Sequence, residues 1–371
     1  MSVDEPGSRM LDAPGRTGPG AGDRLHWVDM AKAIAIVLVV VYHVAVTGMT
    51  ILTPGINRVE GVYSAASTWL LPVRMPLLFL VSGLLSTGAL ARPWRAVVRP
   101  RILNYAWVFV LWTLLYAYPY ANAFTPGNVE ETALRALSWT VTLNGAYWYL
   151  PLLLLFFVVA KLGRRLGAWM IAVAGVGYLF WWQVGIGDGM EGDADLTVRR
   201  FLTFFVWYAL GAFARPLVAW WARAPWWLLP PLAAAYIAVA VVQYGPQRSP
   251  IYQVLIALLS VIGISAMLIV SRLLAQWGPT LRLGSYLAAR TLPIYLVHPM
   301  ALALLIWLTP GFGKQGSLVS LWLVPLLVVA LTWLSCFVYD RLSPNVAWLF
   351  RLPGGVGGRA RAREGAPAAG R

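Results

Sequence analysis

The sequence predicts an all-α polytopic membrane protein with about ten transmembrane helices and both the N- and C-termini cytoplasmic. Three observations carry that expectation. Of 371 residues, 60% are apolar and 12% charged, half of the roughly 25% with which a water-soluble globular chain covers its surface. The apolar residues, 20 Trp among them, gather in ten stretches, most of them close to the ~20 residues that cross a hydrocarbon core. Lys and Arg are unevenly shared among the connecting segments, as the positive-inside rule requires.

In chain order the stretches are Met30–Met49, Trp69–Ala91, Leu103–Tyr120, Leu143–Ala160, Trp169–Ile186, Phe201–Val218, Trp226–Val242, Ile251–Val270, Leu292–Thr309 and Leu318–Val338. The fourth and sixth have the weakest span character. The first is too long for a signal-peptide core and has no small-residue cleavage site after it, so it is expected to stay as a helix. With the N-terminus inside, alternate loops assign 22 of the 29 Lys and Arg to the inner side. The outer side receives Arg58, Arg74, Arg135, Arg199, Arg200, Arg248 and Lys314, together with the acidic cluster Asp188, Glu191, Asp193 and Asp195. Omitting the fourth or the sixth span inverts everything downstream and destroys the bias. The two halves show no sequence repeat, which argues against an inverted-repeat transporter.

Residues 1–23 and 353–371 are rich in Gly, Pro and charge and poor in apolar side chains, and the segments 1–23 and 346–371 are set apart on that ground. They are predicted as disordered cytoplasmic tails flanking one transmembrane domain at 24–345. The basic C-terminal tail either touches anionic lipid heads, at about 1 kcal/mol per cation, or is a solvated end. A net charge of +15 would suggest nucleic acid in a soluble chain. No basic stretch here interleaves with a binding motif, so the charge reads as topology and no nucleic-acid partner is expected. The single cysteine, Cys336, excludes an internal disulfide and a Cys-based zinc site; it reads as a packing residue, and no metal site is expected. Twenty-six Arg against three Lys, with abundant Ala, Gly and Pro, suggests a GC-rich genome and hence a bacterial inner membrane.

Ionisable groups inside a span are costly and point to function by default. Three cannot easily reach water: His43, Arg74 and His298. His43 lies nearer the outer than the inner end of the first helix, and Arg74, about five residues into the second from the outer face, shares its depth. Lys32 precedes His43 by eleven residues, about 20° from alignment and roughly 16 Å below it; Asp29 is about 40° away on the other side. All three therefore face one way. An extended pantetheine arm is of that length, so an acyl-CoA in the cytoplasm can leave its phosphates at the Arg-rich inner rim while its thioester approaches His43. Removal from water disfavours a charged imidazole, and a neutral ring suits a general base. On spacing alone a second reading stays open, in which Asp29 and Lys32 form an interfacial pair and His43 hydrogen-bonds between helices. Arg74 either holds an anion or oxyanion or snorkels to head groups. His298, in Leu292-Pro-Ile-Tyr-Leu-Val-His-Pro299, reads first as structural, with a proline behind it that frees a backbone carbonyl.

These residues resemble the acyltransferase-3 family of integral membrane O-acyltransferases, in particular its bacterial sugar O-acetylases. Asp29-x-x-Lys32 with the apolar run to His43 resembles the family's first-helix motif, and Met75-Pro-Leu-Leu-Phe-Leu-Val-Ser-Gly83 its second. Arg99-Pro-Arg101-Ile-Leu resembles the basic start of the third helix, and Trp148-Tyr-Leu-Pro the opening of the fourth. Phe205-Val-Trp-Tyr-Ala-Leu-Gly211 and Ile294-Tyr-Leu-Val-His-Pro299 complete a set of six in family order. The chain departs from the pattern at Lys32, commonly Arg; at Ala33, commonly Gly; at Arg74, often His; and in lacking a fourth-helix Glu motif. The resemblance implies acyl transfer from an acyl-CoA, usually acetyl-CoA, to a hydroxyl of a carbohydrate or of a glycosylated lipid or metabolite, with no bound cofactor. His43 and Arg74 then take the catalytic roles, and Asp29, Lys32, Arg101, Trp148 and His298 contact substrates or support them. With no extracytoplasmic hydrolase-like domain after the last helix, a protein partner or a homo-oligomer is expected to complete the reaction. The rival expectation is a proton- or anion-coupled transporter or flippase in which His43 and Arg74 bind the coupled ion.

Overall fold

The structure, a computed structural model, describes residues 26–48, 57–124, 129–180, 193–244, 251–309 and 317–354. Among them regular structure is entirely helical: α1 (His26–Tyr42), α2 (Asn57–Ala91), α3 (Asn104–Phe124), α4 (Val129–Thr142), α5 (Tyr149–Leu162), α6 (Trp169–Phe180), α7 (Asp193–Phe213), α8 (Leu229–Gln243), α9 (Tyr252–Leu274), α10 (Gly278–Ala289), α11 (Thr291–Leu308) and α12 (Ser317–Leu342). Among the described residues eight helical stretches are long and apolar enough to cross a membrane, the first His26–Val46 and the last Trp322–Leu342. The chain is a multi-pass membrane protein.

Two of the ten predicted stretches are shorter than expected. The fourth starts at Tyr149 rather than residue 143, because Leu143 (φ 59°) and Gly145 (φ 78°) turn the chain through the left-handed region and stop a helix from forming there. The remaining 14 residues rise about 21 Å, short of the ~30 Å core. The fifth is helical over Trp169–Phe180, 12 residues, and its last six predicted residues lie outside the described ones. The sixth, weakest on paper together with the fourth, is long and apolar enough to span, but over Asp195–Phe213 rather than Phe201–Val218. Two helices were not anticipated. α4 carries Glu130, Glu131 and Arg135 and is too polar to register as a span; α10 is short, and packs on α1 where Gly284 meets Met30.

Prolines inside spans are tolerated where neighbours take up the carbonyls they free. Pro72 removes the partner of the Thr68 carbonyl, and the Tyr244 hydroxyl donates to it at 3.0 Å. α2 stops before Pro93, and Lys161 covers its end, donating to the carbonyls of Leu90 (3.0 Å) and Arg92 (2.5 Å), as cations do at helix C-termini.

α2 and α7 share the most extensive helix–helix contact among the described residues, and two glycines allow their close approach. A Cβ on Gly83 would lie 2.1 Å from the Tyr208 carbonyl oxygen, and one on Gly211 2.0 Å from that of Leu80. Neither obstacle is a side chain that can swing away, so the helices must separate. Gly211→Ala is expected to lose about 1–3 kcal/mol, read as a lower thermal midpoint in detergent. Gly88→Ala on the same helix, with nothing within 4 Å of its Cβ, serves as the control and is expected to match wild type.

The predicted boundary at 346 cuts through packed structure. Trp107 and Trp112 donate their indole N–H groups to the carbonyls of Trp348 (2.8 Å) and Leu349 (2.6 Å), and the Leu352 amide donates to Asn104 Oδ1 at 2.9 Å. Phe350, 6% exposed, lies between Trp112 and Tyr339. The segment to Leu352 thus belongs to the body, held by aromatic burial and by indoles that need acceptors. The predicted tails at 1–23 and beyond 354 lie outside the described residues. Cys336 is fully buried and packs in the core.

Candidate active site

α1 ends as a regular helix at Tyr42 and continues as a π-helical turn over His43–Gly48. A π-turn closes on i→i+5 bonds and is frequent at functional sites; here it begins on the histidine picked out by its depth. His43 Nδ1 lies 3.0 Å from the Val39 carbonyl oxygen and 3.1 Å from Nε2 of His298 on α11. The two rings are 5.0 Å apart at 57°. His298 is completely buried, and its Nδ1 is 2.5 Å from the carbonyl oxygen of Ile294. Close by on the same helix, the Tyr147 hydroxyl donates to the Leu296 carbonyl at 2.8 Å, so the backbone around Pro299 is held from two sides.

Arg74 is 3% exposed and does not reach for head groups. Its guanidinium carbon stands 4.0 Å over the ring of Tyr42, and Nη1 donates to Ser67 Oγ at 3.5 Å, at the weak end of the hydrogen-bond range. Tyr42 in turn sits edge-on to His43 at 5.2 Å. The buried cation is therefore one aromatic ring away from the histidine pair.

Towards the opposite end of the bundle a cavity of about 280 Å³ opens among α1, α2, α3, α5, α10 and α11. Lys32 and Arg101 contribute its cationic groups, and Ser82, Tyr105, Tyr149 and Tyr295 most of its other polar ones. Lys32 Nζ donates to the Ala288 carbonyl on α10 at 3.0 Å. Arg101 lies in a second π-helical segment, Val98–Leu103, leading into α3. Pro100 accounts for it, since a proline inside a helix lacks the N–H and crowds the preceding turn. Ser82 donates to the Leu78 carbonyl (2.8 Å), which commits its single proton, so the Tyr149 hydroxyl donates to Ser82 Oγ across 2.6 Å. Tyr295 donates to the Ala146 carbonyl at 3.1 Å and accepts from the Tyr149 amide at 3.2 Å.

The cavity wall reaches Ile36 on α1 and Tyr295 on α11. His298 stands one turn beyond Tyr295, and His43 about 10 Å beyond Ile36 by helical rise. Of the residues chosen from the sequence, Lys32 and Arg101 line the cavity, His43 and His298 meet beyond it, and Arg74 flanks them through Tyr42. Asp29, half-buried on the first turn of α1, is not in the wall. Trp148 is not in the wall either: it stacks on Phe204 at 5.7 Å beneath the Arg200 guanidinium at 4.3 Å. Its neighbour Tyr149 takes the position facing the cavity. Tyr149 and Tyr295 were missed as lining residues, although Tyr295, three residues before His298, shares a helical face with it. Among the described residues no three His, Cys, Asp or Glu gather as a metal site.

A family model described as an acyltransferase domain, that of acyltransferase 3, matches residues 25–340. The chain belongs to the acyltransferase 3 family. It is also similar to the inner membrane protein YcfT of Escherichia coli (strain K12), at 29% identity over 165 residues, 40% of this chain. The match spans 46% of YcfT, less than half of that relative's length. No solved structure matches significantly. Within this acyltransferase 3 domain the six motifs that looked scattered in sequence converge. The first and last supply the histidine pair, the third and fourth bring Arg101 and Tyr149 to the cavity, and the second and fifth supply the glycines that join α2 to α7.

Proposed function

We propose that this protein is a membrane O-acyltransferase that moves an acyl group, in the first instance acetyl, from cytoplasmic acyl-CoA to a hydroxyl of a carbohydrate or of a glycosylated lipid or metabolite. The observation that carries the reading is a cavity holding Lys32 and Arg101, aligned along α1 and α11 with a histidine pair of which His298 is fully buried and His43 half-buried. Two cations suit the phosphates of CoA, as point charge and as fork respectively. The tyrosine-walled depth suits an uncharged pantetheine arm. The acceptor comes from the opposite side, past Arg74.

In the reaction the acceptor oxygen attacks the thioester carbonyl carbon while His43 takes the hydroxyl proton. The C–S bond breaks, and the imidazolium returns that proton to the departing thiolate. Arg74, buried and cationic, offsets negative charge on the tetrahedral intermediate. YcfT is described as an inner membrane protein, which supports a bacterial inner membrane.

The test is release of free thiol from acetyl-CoA by purified protein in detergent, with ester formation on an added glycoside acceptor. A transporter needs a sealed vesicle and releases no thiol; that outcome overturns the reading. Replacing Lys32 or Arg101 by Ala removes a charge-assisted contact of about 1.5–3 kcal/mol. Either change is expected to raise KM for acetyl-CoA by roughly 10- to 100-fold while KM for the acceptor stays constant.

A further inference from the structure

We infer that His298 is a positioning residue for His43: the pair holds one proton between its facing nitrogens and leaves Nε2 of His43 as the bare, basic nitrogen of the site. This rests on the acyl-transfer reading above and deepens it. The proton positions follow from four atoms. A carbonyl oxygen only accepts, so His298 Nδ1, 2.5 Å from the Ile294 carbonyl oxygen, carries a hydrogen. A neutral imidazole has one N–H, which leaves His298 Nε2 bare. That nitrogen faces His43 Nδ1 at 3.1 Å, and two bare nitrogens at that distance repel, so Nδ1 of His43 carries the hydrogen. The Val39 carbonyl, 3.0 Å from the same Nδ1, independently requires it there. The lone pair of His43 is thereby confined to Nε2.

Two acceptors on one N–H do more than select a tautomer. They fix the plane of the ring, so that Nε2 has one direction in which to meet a hydroxyl. When His43 takes the acceptor's proton on Nε2, its Nδ1–H becomes a stronger donor, and the neutral Nε2 of His298 is the acceptor whose basicity allows it to share the new positive charge. No carboxylate among the described residues contacts either ring, so a neutral imidazole occupies the place that an anionic side chain holds in serine-type triads. Such a partner avoids burying a permanent charge in the membrane interior, where an ionised group is costly. The proton count closes: one proton enters at His43 Nε2, and one leaves from it to the thiolate.

The chain has three histidines, so its ring-nitrogen spectrum is small enough to assign from single substitutions. Protein labelled with ¹⁵N-histidine is expected to show protonated Nδ1 and bare Nε2 on both His43 and His298. A protonated Nε2 on His43 overturns the proposal, whether or not acyl transfer is detected. The second arm compares His298→Gln, whose Oε1 stands near the position of Nε2 and accepts, with His298→Leu, which fills the space and does not. His298→Leu is expected to lower kcat at least about 10-fold with KM for acetyl-CoA unchanged, and His298→Gln to stay within about 3-fold of wild type. Equal losses in two folded variants, or a loss carried by KM alone, assign His298 to packing and overturn the role. A wild type with no transferase activity overturns the enzymatic reading instead, and the spectrum then still decides where the proton sits.

Discussion

His43→Asn enters the membrane, folds and is expected to transfer acyl groups at least 10²- to 10⁴-fold more slowly than wild type, the range that a positioned general base contributes. Asparagine is the informative choice because its amide N–H can reproduce the donor that His43 Nδ1 presents to Val39 and His298, while nothing on it can take a proton. A cavity-forming substitution such as His43→Ala adds a packing loss on α1, so agreement between the two variants separates chemistry from stability. The measurement is the initial rate of thiol release, with gel filtration in detergent as the control for folding. Wild-type rates in His43→Asn overturn the assignment of the base.

Arg74→Met is expected to lower kcat by about 10²- to 10³-fold, the usual cost of removing one donor to a developing oxyanion, with Arg74→Lys falling between it and wild type. Stability is expected to change the other way, or hardly at all. The cation–π contact with Tyr42 contributes about 0.5–2 kcal/mol, yet replacing a buried charge by an apolar side chain of similar volume is often neutral or stabilising. A structural arginine predicts the reverse, a lower thermal midpoint and a proportionate loss of folded protein with kcat per folded molecule preserved. The two readouts together therefore decide what Arg74 is for.

Much of this site was legible residue by residue. His43, Arg74 and His298 stand out because titratable groups within apolar runs are rare, and Lys32 because eleven residues return to nearly the same helical face. Gly83 and Gly211 were visible as small residues in motifs, but that they meet each other was not. The relation of His43 to His298 was equally hidden: 255 positions separate them, and no local periodicity links two helices so far apart. Trp148 was chosen over Tyr149 because adjacent residues in one motif have equal claims until the turn at Leu143–Gly145 sets which of them faces inward. α10 carries no span signal because it is short and has Arg282 within it, although its Ala288 carbonyl anchors Lys32.

Composition and periodicity alone determined that this chain lives in lipid, that it is helical, and that His43, Arg74 and His298 lie within its apolar runs; the burial of Lys161 was not among them. The reason is local: a backbone in hydrocarbon must satisfy its own hydrogen bonds, so any apolar run of sufficient length becomes a helix wherever it sits in the chain. Which helices touch, where a cavity remains between them, and which nitrogen faces which were decided only by tertiary packing. Those outcomes depend on glycine contacts, proline-freed carbonyls and π-turns that rotate a side chain about its helix, and each of these acts through a neighbour that lies far away in sequence.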